Sequence, residues 1–307
     1  MAQHNEARIC GFITSKAVQK DKANDGTVNT LMMVRTCIRD NAKYDGRGVF
    51  DVQVFYQYNK DEENDTATKN LIEAVEKANE GDFVDITGTC VLLKKGMAIQ
   101  HVCSSCGKVE EIELKPSIAV VPRYMYKAAE MPMTDDGADS PVNVWESKIT
   151  NKKIEELREN FAEISNRVTL VGAVLTEPVF FKKVNKETKE KKVSASYMLG
   201  VDRHYRVLCP ALADATNDSF FVKSIGRTAC EDKDHIIASK PKEEGTTLLV
   251  DGFIYSKPVY EFKHKCSHCG ATTVVKSKVP MMSTAIIPYA TEYMTNFNKV
   301  EKKEEEE

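Results

Sequence analysis

At 307 residues, 42% apolar and 29% charged, the chain has enough length and apolar content for two ordinary hydrophobic cores and is too apolar to be intrinsically disordered. A net charge of −3 gives no strongly basic or acidic signature, and no run approaches the ~18 apolar residues of a membrane span. The opening MAQHNEARIC lacks the charged-then-apolar pattern of a secretory leader, so a soluble, cytoplasmic protein with reduced cysteines is expected.

The first third reads as short strands around one helix. Arg8 to Ser15 is apolar and β-prone, a polar turn follows at residues 20–26, and Thr30 to Arg39 returns as a second strand. Val49 to Tyr56 alternates apolar and polar side chains, the mark of a strand with one buried face. Thr66 to Ala78 places Leu71, Ile72 and Val75 at helical spacing, with Gly81 as a stop. Strands over Phe83–Leu93 and Glu111–Val121 complete the set, with His101-Val102-Cys103-Ser104-Ser105-Cys106-Gly107 in the hairpin between them. Three strands, a helix and two strands is the order of the five-stranded Greek-key barrel known as the OB-fold.

Residues 128–165 carry 4 basic and 9 acidic side chains and read as an acidic linker. Met131 to Pro141 is a loop by composition, and Asn151 to Ile164 is a helix with Ile154, Leu157, Phe161 and Ile164 on one apolar face that must dock on a barrel or bridge both. The strand pattern then starts again: Asn166–Leu175, Val193–Arg203 and Ser219–Gly226 as strands, Asp232–Lys240 as a helix, and Leu248–Ser256 and Val274–Ile287 as closing strands.

The second course is a copy of the first. His264-Lys265-Cys266-Ser267-His268-Cys269-Gly270 repeats the cysteine stretch 163 residues on, Gly81–Gly88 answers Gly245–Gly252, and Arg8–Ile13 is matched to Arg167–Val174. The expected architecture is therefore mainly β: two tandem OB-fold barrels at residues 1–127 and 166–294, each with an extended hairpin carrying a knuckle, plus a linker helix at 128–165 and an acidic tail at 295–307. The second repeat, with 19 basic and 14 acidic residues, is mildly basic and permits an anionic partner.

NRVTLVGAVLTEPVF, SFFVKSIGR and EEGTTLLVDGFIYSKPV in the second repeat resemble, in order, the strands of the bacterial and phage-type single-stranded DNA-binding protein family. The resemblance implies a protein that coats single-stranded DNA during replication or recombination, with single-stranded DNA as partner. Two features depart from the family pattern of one barrel per chain: the fusion of two barrels, from which a phage or mobile element is expected as the source, and the knuckles between the last two strands. In that family an acidic tail with an apolar tip recruits replication and repair proteins. Residues 299–307 have the acid without the tip.

A single-strand binder needs aromatic faces for bases and cations for phosphates. The first repeat offers Phe50, Phe55, Tyr56 and Tyr58 with Arg35, Lys94 and Lys95. The second offers Phe180, Phe181, Phe220, Phe221, Tyr255 and Tyr260, with Lys182, Lys183, Arg203, Lys223, Arg227 and Lys257. In the adjacent pairs Phe55-Tyr56, Phe180-Phe181 and Phe220-Phe221 one ring must face outward, because neighbouring side chains on a strand alternate.

Each knuckle has the Cys-x-x-Cys-Gly form that brings two sulfurs to one metal, and structural zinc takes four ligands. Either Cys103, Cys106, Cys266 and Cys269 close one site that clasps both hairpins, or each knuckle adds a histidine from His101, His264 and His268 with water, or the knuckles hold no metal. The pooled site is favoured because structural zinc is normally closed. Cys10, Cys37, Cys90, Cys209 and Cys230 stand singly and are expected to pack in cores. With no Walker loop, nucleophile elbow or paired histidines, the chain reads as non-enzymatic. A zinc-stabilised protein-interaction scaffold and a single-stranded RNA binder stay open as alternatives.

Overall fold

The chain begins with strand β1 (Asn5–Lys20), followed by β2 (Thr27–Cys37), β3 (Val49–Asn59), helix α1 (Thr66–Lys77) and β4 (Phe83–Leu93). The hairpin β5 (Ala98–Val102) and β6 (Val109–Glu113) leads to β7 (Ser117–Lys127). The computed structural model describes residues 4–20, 26–38, 48–59, 65–93, 98–113, 115–127, 151–184, 191–203 and 216–299. Lys94, Lys95, His204, Cys209, the loop expected in the linker and residues 300–307 of the tail lie outside these.

β1 pairs antiparallel with both β2 and β4, β2 with β3, and β4 with β7, while β3 meets β7 in parallel and closes a five-stranded barrel. The second half repeats this with β8 (Asn166–Val174), β10 (Lys191–Asp202), β11 (Asn217–Ile225), β12 (Thr247–Lys265) and β13 (Thr272–Thr295). There β8 pairs with β10 and β12, β10 with β11, β12 with β13, and β11 meets β13 in parallel. Both are OB-fold barrels. The single strand expected over Glu111–Val121 is instead β6 and β7, with Pro116, which has no N–H to give to a ladder, between them. An edge strand not read from the sequence, β9 (Val179–Val184), adds to β10.

The barrels are joined by an antiparallel pairing of β1 with β8, from Asn5↔Leu170 through Ala7↔Val168 to Ile9↔Asn166. One sheet of 11 strands results. Its register corrects the sequence match of Arg8 with Arg167, because the structurally equivalent pairs are Asn5 with Asn166 and Gly11 with Gly172. The side-chain amide of Asn5 bonds both the N–H and the carbonyl of Cys90, and that of Asn166 does the same at Ile254. A Cβ on Gly11 would lie 2.0 Å from the Arg35 carbonyl oxygen, and one on Gly172 2.2 Å from that of Gly200. With this register the β1–β8 pairing has a local two-fold axis through Ala7 and Val168. The sequence match was two residues off because each strand carries an arginine followed by an apolar residue, Arg8-Ile9 and Arg167-Val168, at positions that are not equivalent in the fold.

One buried cluster runs through both barrels, from Ile9, Val34 and Ile86 to Leu170, Phe220 and Ile286. Asp65 caps α1 by accepting the Thr68 N–H, and Leu71, Ile72 and Val75 bury as their spacing predicts. Helix α2 (Asn151–Phe161) docks on the first barrel: Ile154 and Leu157 cover Cys10, Phe12, Cys37 and Phe83, and Phe161 packs on Phe83 at 5.1 Å between ring centroids. Helix α3 (Arg227–His235) starts five residues before the expected Asp232. It is held by a buried carboxylate in place of an apolar stripe: Asp232 accepts from the hydroxyls of Tyr293 (2.8 Å), Thr291 (3.1 Å) and Tyr197 (3.3 Å), and burial pushes its carboxyl above the usual range. Cys10, Cys37 and Cys90 are buried as expected, and burial pushes all three thiols up. Cys230 is exposed instead, because α3 turns Ala229 and Asp232 inward. Among the described residues no helix is long and apolar enough to cross a membrane.

Asn166→Ala leaves the buried N–H and carbonyl of Ile254 without this partner, at about 1–3 kcal/mol per group. Chemical unfolding should therefore show a lower midpoint for this variant and for Asn5→Ala, and curves that superimpose on the unmutated chain would remove the two asparagines from the account.

Candidate metal centre and nucleic-acid face

The knuckles close as two copies of one turn. Cys103 N–H donates to the Lys108 carbonyl (2.9 Å) and Gly107 N–H to that of Cys103 (2.8 Å), and Cys266 with Ala271 (2.9 Å) and Gly270 with Cys266 (3.0 Å) repeat the pattern. Gly107 and Gly270 sit at φ of 71° and 73°, where a side chain is disfavoured, so the glycine after each Cys-x-x-Cys is required by backbone conformation. The turns aim N–H groups of Cys106 and Ser105 at the Cys103 sulfur, which pulls that thiol down to about 7.

The two hairpins then meet across the local two-fold. Cys103 lies 3.8 Å from Cys269 and Cys106 3.8 Å from Cys266, sulfur to sulfur, and all four sulfurs lie within 4.8 Å of one another. A tetrahedron with bonds of about 2.3 Å has edges of about 3.8 Å, so the donor set suits a tetrathiolate metal such as zinc. The histidines turn to other partners: His101 Nε2 to Thr273 Oγ1 at 3.0 Å and His264 Nε2 to Glu110 Oε2 at 3.2 Å, while His268 is exposed. Glu110, which carried no sequence signal, also accepts from the N–H and hydroxyl of Ser267, and these bonds hold its carboxyl down to about 2. It ties the first hairpin to the second.

The structure sorts the candidate nucleic-acid residues by burial. In each adjacent pair one ring turns out: Phe55, Phe181 and Phe221 lie on the outer side of their strands, while Tyr56 and Phe220 are in the core and Phe180 faces inward under Lys233 at 5.2 Å. Lys182, Lys183, Lys223, Lys257 and Tyr260 are exposed, as is Arg227, which pairs with Glu231 at 2.7 Å.

Six expected contact groups are interior instead. Phe50 stacks on Phe253 (5.4 Å) and packs on half-buried Tyr255 (5.3 Å), so it belongs to the seam between barrels. Tyr56 and Tyr58 stack at 5.6 Å, and the Tyr58 hydroxyl donates to Glu76. Phe220 is fully buried. Arg35 closes on Asp51 with bonds of 2.6 and 2.7 Å, and Arg203 on Asp218 with 2.5 and 2.8 Å. Asp218 also accepts the Leu92 N–H of the other barrel at 3.2 Å, which links the second ion pair to the seam. The sequence alone did not single out Lys192, Ser194, Ser196 and Met198, which alternation along β10 puts on the same outer face, Ser194 beside Phe181, Met198 beside Phe221, Lys192 beside Lys183 and Ser196 beside Lys223.

No protein-family model matches the sequence, and no curated protein matches it. Among solved structures, a deletion mutant of the single-stranded DNA binding protein from Thermus aquaticus matches 98% of this chain and 100% of that one, with a TM-score of 0.52 and 10% identity. That likeness establishes the tandem OB-fold architecture. A Plasmodium falciparum SSB complex with single-stranded DNA (15% identity, 42% of this chain and 95% of that one, TM-score 0.24) is a much weaker match. So is a Replication Protein A heterotrimer bound to single-stranded DNA (11% identity, 94% and 50%, TM-score 0.21).

Removing one partner of a buried ion pair costs about 3–5 kcal/mol. Arg203→Ala should therefore lower the thermal unfolding midpoint strongly. An unchanged melt combined with lost nucleic-acid affinity would return Arg203 to a phosphate-contact role.

Proposed function

We propose that this protein binds and coats single-stranded DNA with little sequence preference, in replication or recombination, stacking bases on outward aromatics and meeting phosphates with lysines. One observation carries the reading: the double barrel matches end to end a protein whose name states that it binds single-stranded DNA. Further support comes from the exposed candidates, Phe181, Phe221 and Tyr260 among Lys182, Lys183, Lys223 and Lys257. Lys94, Lys95 and Arg227 remain part of the proposal. In this reading the protein is a non-enzymatic coat of the cytoplasm of a bacterial or phage-infected cell. Its functional units are residues 1–127 and 166–294, and replication or recombination proteins dock on the tail at 295–307.

Zinc is the metal this reading assigns to Cys103, Cys106, Cys266 and Cys269, in one structural site. The support is the donor chemistry, four thiols with no further ligand needed, and the sulfur spacing given above. Bound there, zinc supplies folding energy and no reaction.

Fluorescence titration with a labelled oligo-dT of about 35 nucleotides, at low and high salt, tests the function directly. Submicromolar binding, weakened by salt and far poorer on duplex, is expected. No binding at low salt would sink the single-strand reading, and tighter binding of the matching oligo-U would move it to RNA. For the metal, protein stripped of zinc by a chelator should melt at a lower temperature than the loaded protein. Equal melts would remove the structural role.

A further inference from the structure

We propose that the bases of the single strand stack on the second repeat, on the outer face of β9, β10 and β11, and that the corresponding β2–β3 face of the first repeat is not a binding surface. The inference rests on the single-strand reading above and deepens it.

The two faces are equivalent in the fold. In each barrel the second and third strands turn one set of side chains to the core, Met32, Val34, Val52 and Val54 in the first and Tyr197, Leu199, Phe220 and Val222 in the second. The alternate residues face away. Those of the second repeat fall into cross-strand rows: Lys183 beside Lys192, Phe181 beside Ser194 and Ile225, Val179 beside Ser196 and Lys223, and Met198 beside Phe221. Phe181 is 61% and Phe221 42% exposed, and Lys183, Lys192 and Lys223 are exposed around them. On ideal sheet spacings the two rings lie about 16 Å apart on a diagonal, too far to serve one base and suited to separate nucleotides. This face combines stacking surfaces with cations; its one acidic side chain among the described parts of the three strands, Asp202 beside Asn217, lies at the far end, two rows beyond Met198 and Phe221.

In the first repeat the equivalent rows are Asn29 beside Gln57, Leu31 beside Phe55, Met33 beside Gln53 and Arg35 beside Asp51. Their polar groups are already matched: Gln57 donates to Asn29 at 2.7 Å, Ser117 to Gln53 at 2.6 Å, and Arg35 is closed on Asp51. Phe55 is half-buried against the core. The rows contain no lysine, and their charged groups cancel as a pair. A polyanion gains nothing there, whereas on the second repeat every phosphate set over Lys183, Lys192 or Lys223 releases counterions.

The test uses the full-length chain and an oligo-dT carrying 5-iodo-deoxyuridine, photocrosslinked and mapped by mass spectrometry. Adducts are expected in residues 179–198 and 217–225, and adducts of comparable yield in residues 27–37 or 49–59 would overturn the proposal. In titrations, Phe181→Ala with Phe221→Ala should weaken binding at least tenfold. Lys183→Glu, Lys192→Glu and Lys223→Glu together should make the salt slope shallower by about 2. A slope and affinity unchanged in those variants would overturn it as well. Failure of the unmutated chain to bind any oligonucleotide would instead overturn the single-strand reading, and this inference with it.

Discussion

The structure depends on the antiparallel pairing of β1 with β8 about Ala7 and Val168. Each strand already has two neighbours in its own barrel, so the pairing is possible only over the short segment where β1 has left β2 and β8 has left β10. Asn5 and Asn166 mark its ends. Each uses its side-chain amide as a substitute peptide group toward Cys90 or Ile254 at the point where the backbone of its strand is committed across the two-fold. Buried polar groups left unpaired there would each cost about 1–3 kcal/mol, which is why an amide side chain and no apolar one fits both positions.

Everything else at the seam follows from this axis. It brings the β5–β6 hairpin and the β12–β13 hairpin side by side, so that Cys103 faces Cys269 and Cys106 faces Cys266 in equivalent pairs. It packs Phe50 on Phe253 and sets Asp218 against Leu92, giving a buried ion pair a partner across the seam. The axis is only local. Glu110 holds Ser267 and His264 on one side where Thr273 holds only His101 on the other, and α2 covers Phe12 and Phe83 of the first barrel with no counterpart among the described residues of the second.

Much of this was legible in the residues. Strand order, the start of α2, the bounds of β4 and the gathering of four cysteines follow from alternation, helical spacing and the repeated knuckle. What escaped has physical causes. β9 is an edge strand on which Val179, Phe181 and Val184 are all exposed and only Phe180 is partly buried, so it lacks a buried-face pattern. α3 hangs on one carboxylate, and periodicity cannot see a hydrogen-bond anchor. Burial of Arg35 and Arg203 was invisible because their acidic partners, Asp51 and Asp218, lie on neighbouring strands and become partners only through register. Phe50 and Tyr255 read as surface aromatics because the seam they fill exists only once two barrels are fused. The alternation rule required one ring of each aromatic pair to face outward without saying which, and it could not tell a charged face, as at Phe181 and Phe221, from a self-satisfied one.

The central claim is that the two repeats form a single body around one axis, with the four knuckle cysteines serving one metal. Zinc K-edge X-ray absorption on the purified full-length chain, with the metal content measured on the same sample, tests it most directly. The account predicts one zinc per chain in a single shell of four sulfurs at about 2.3 Å. Two zincs per chain, each with two sulfurs and nitrogen or oxygen neighbours, would contradict it.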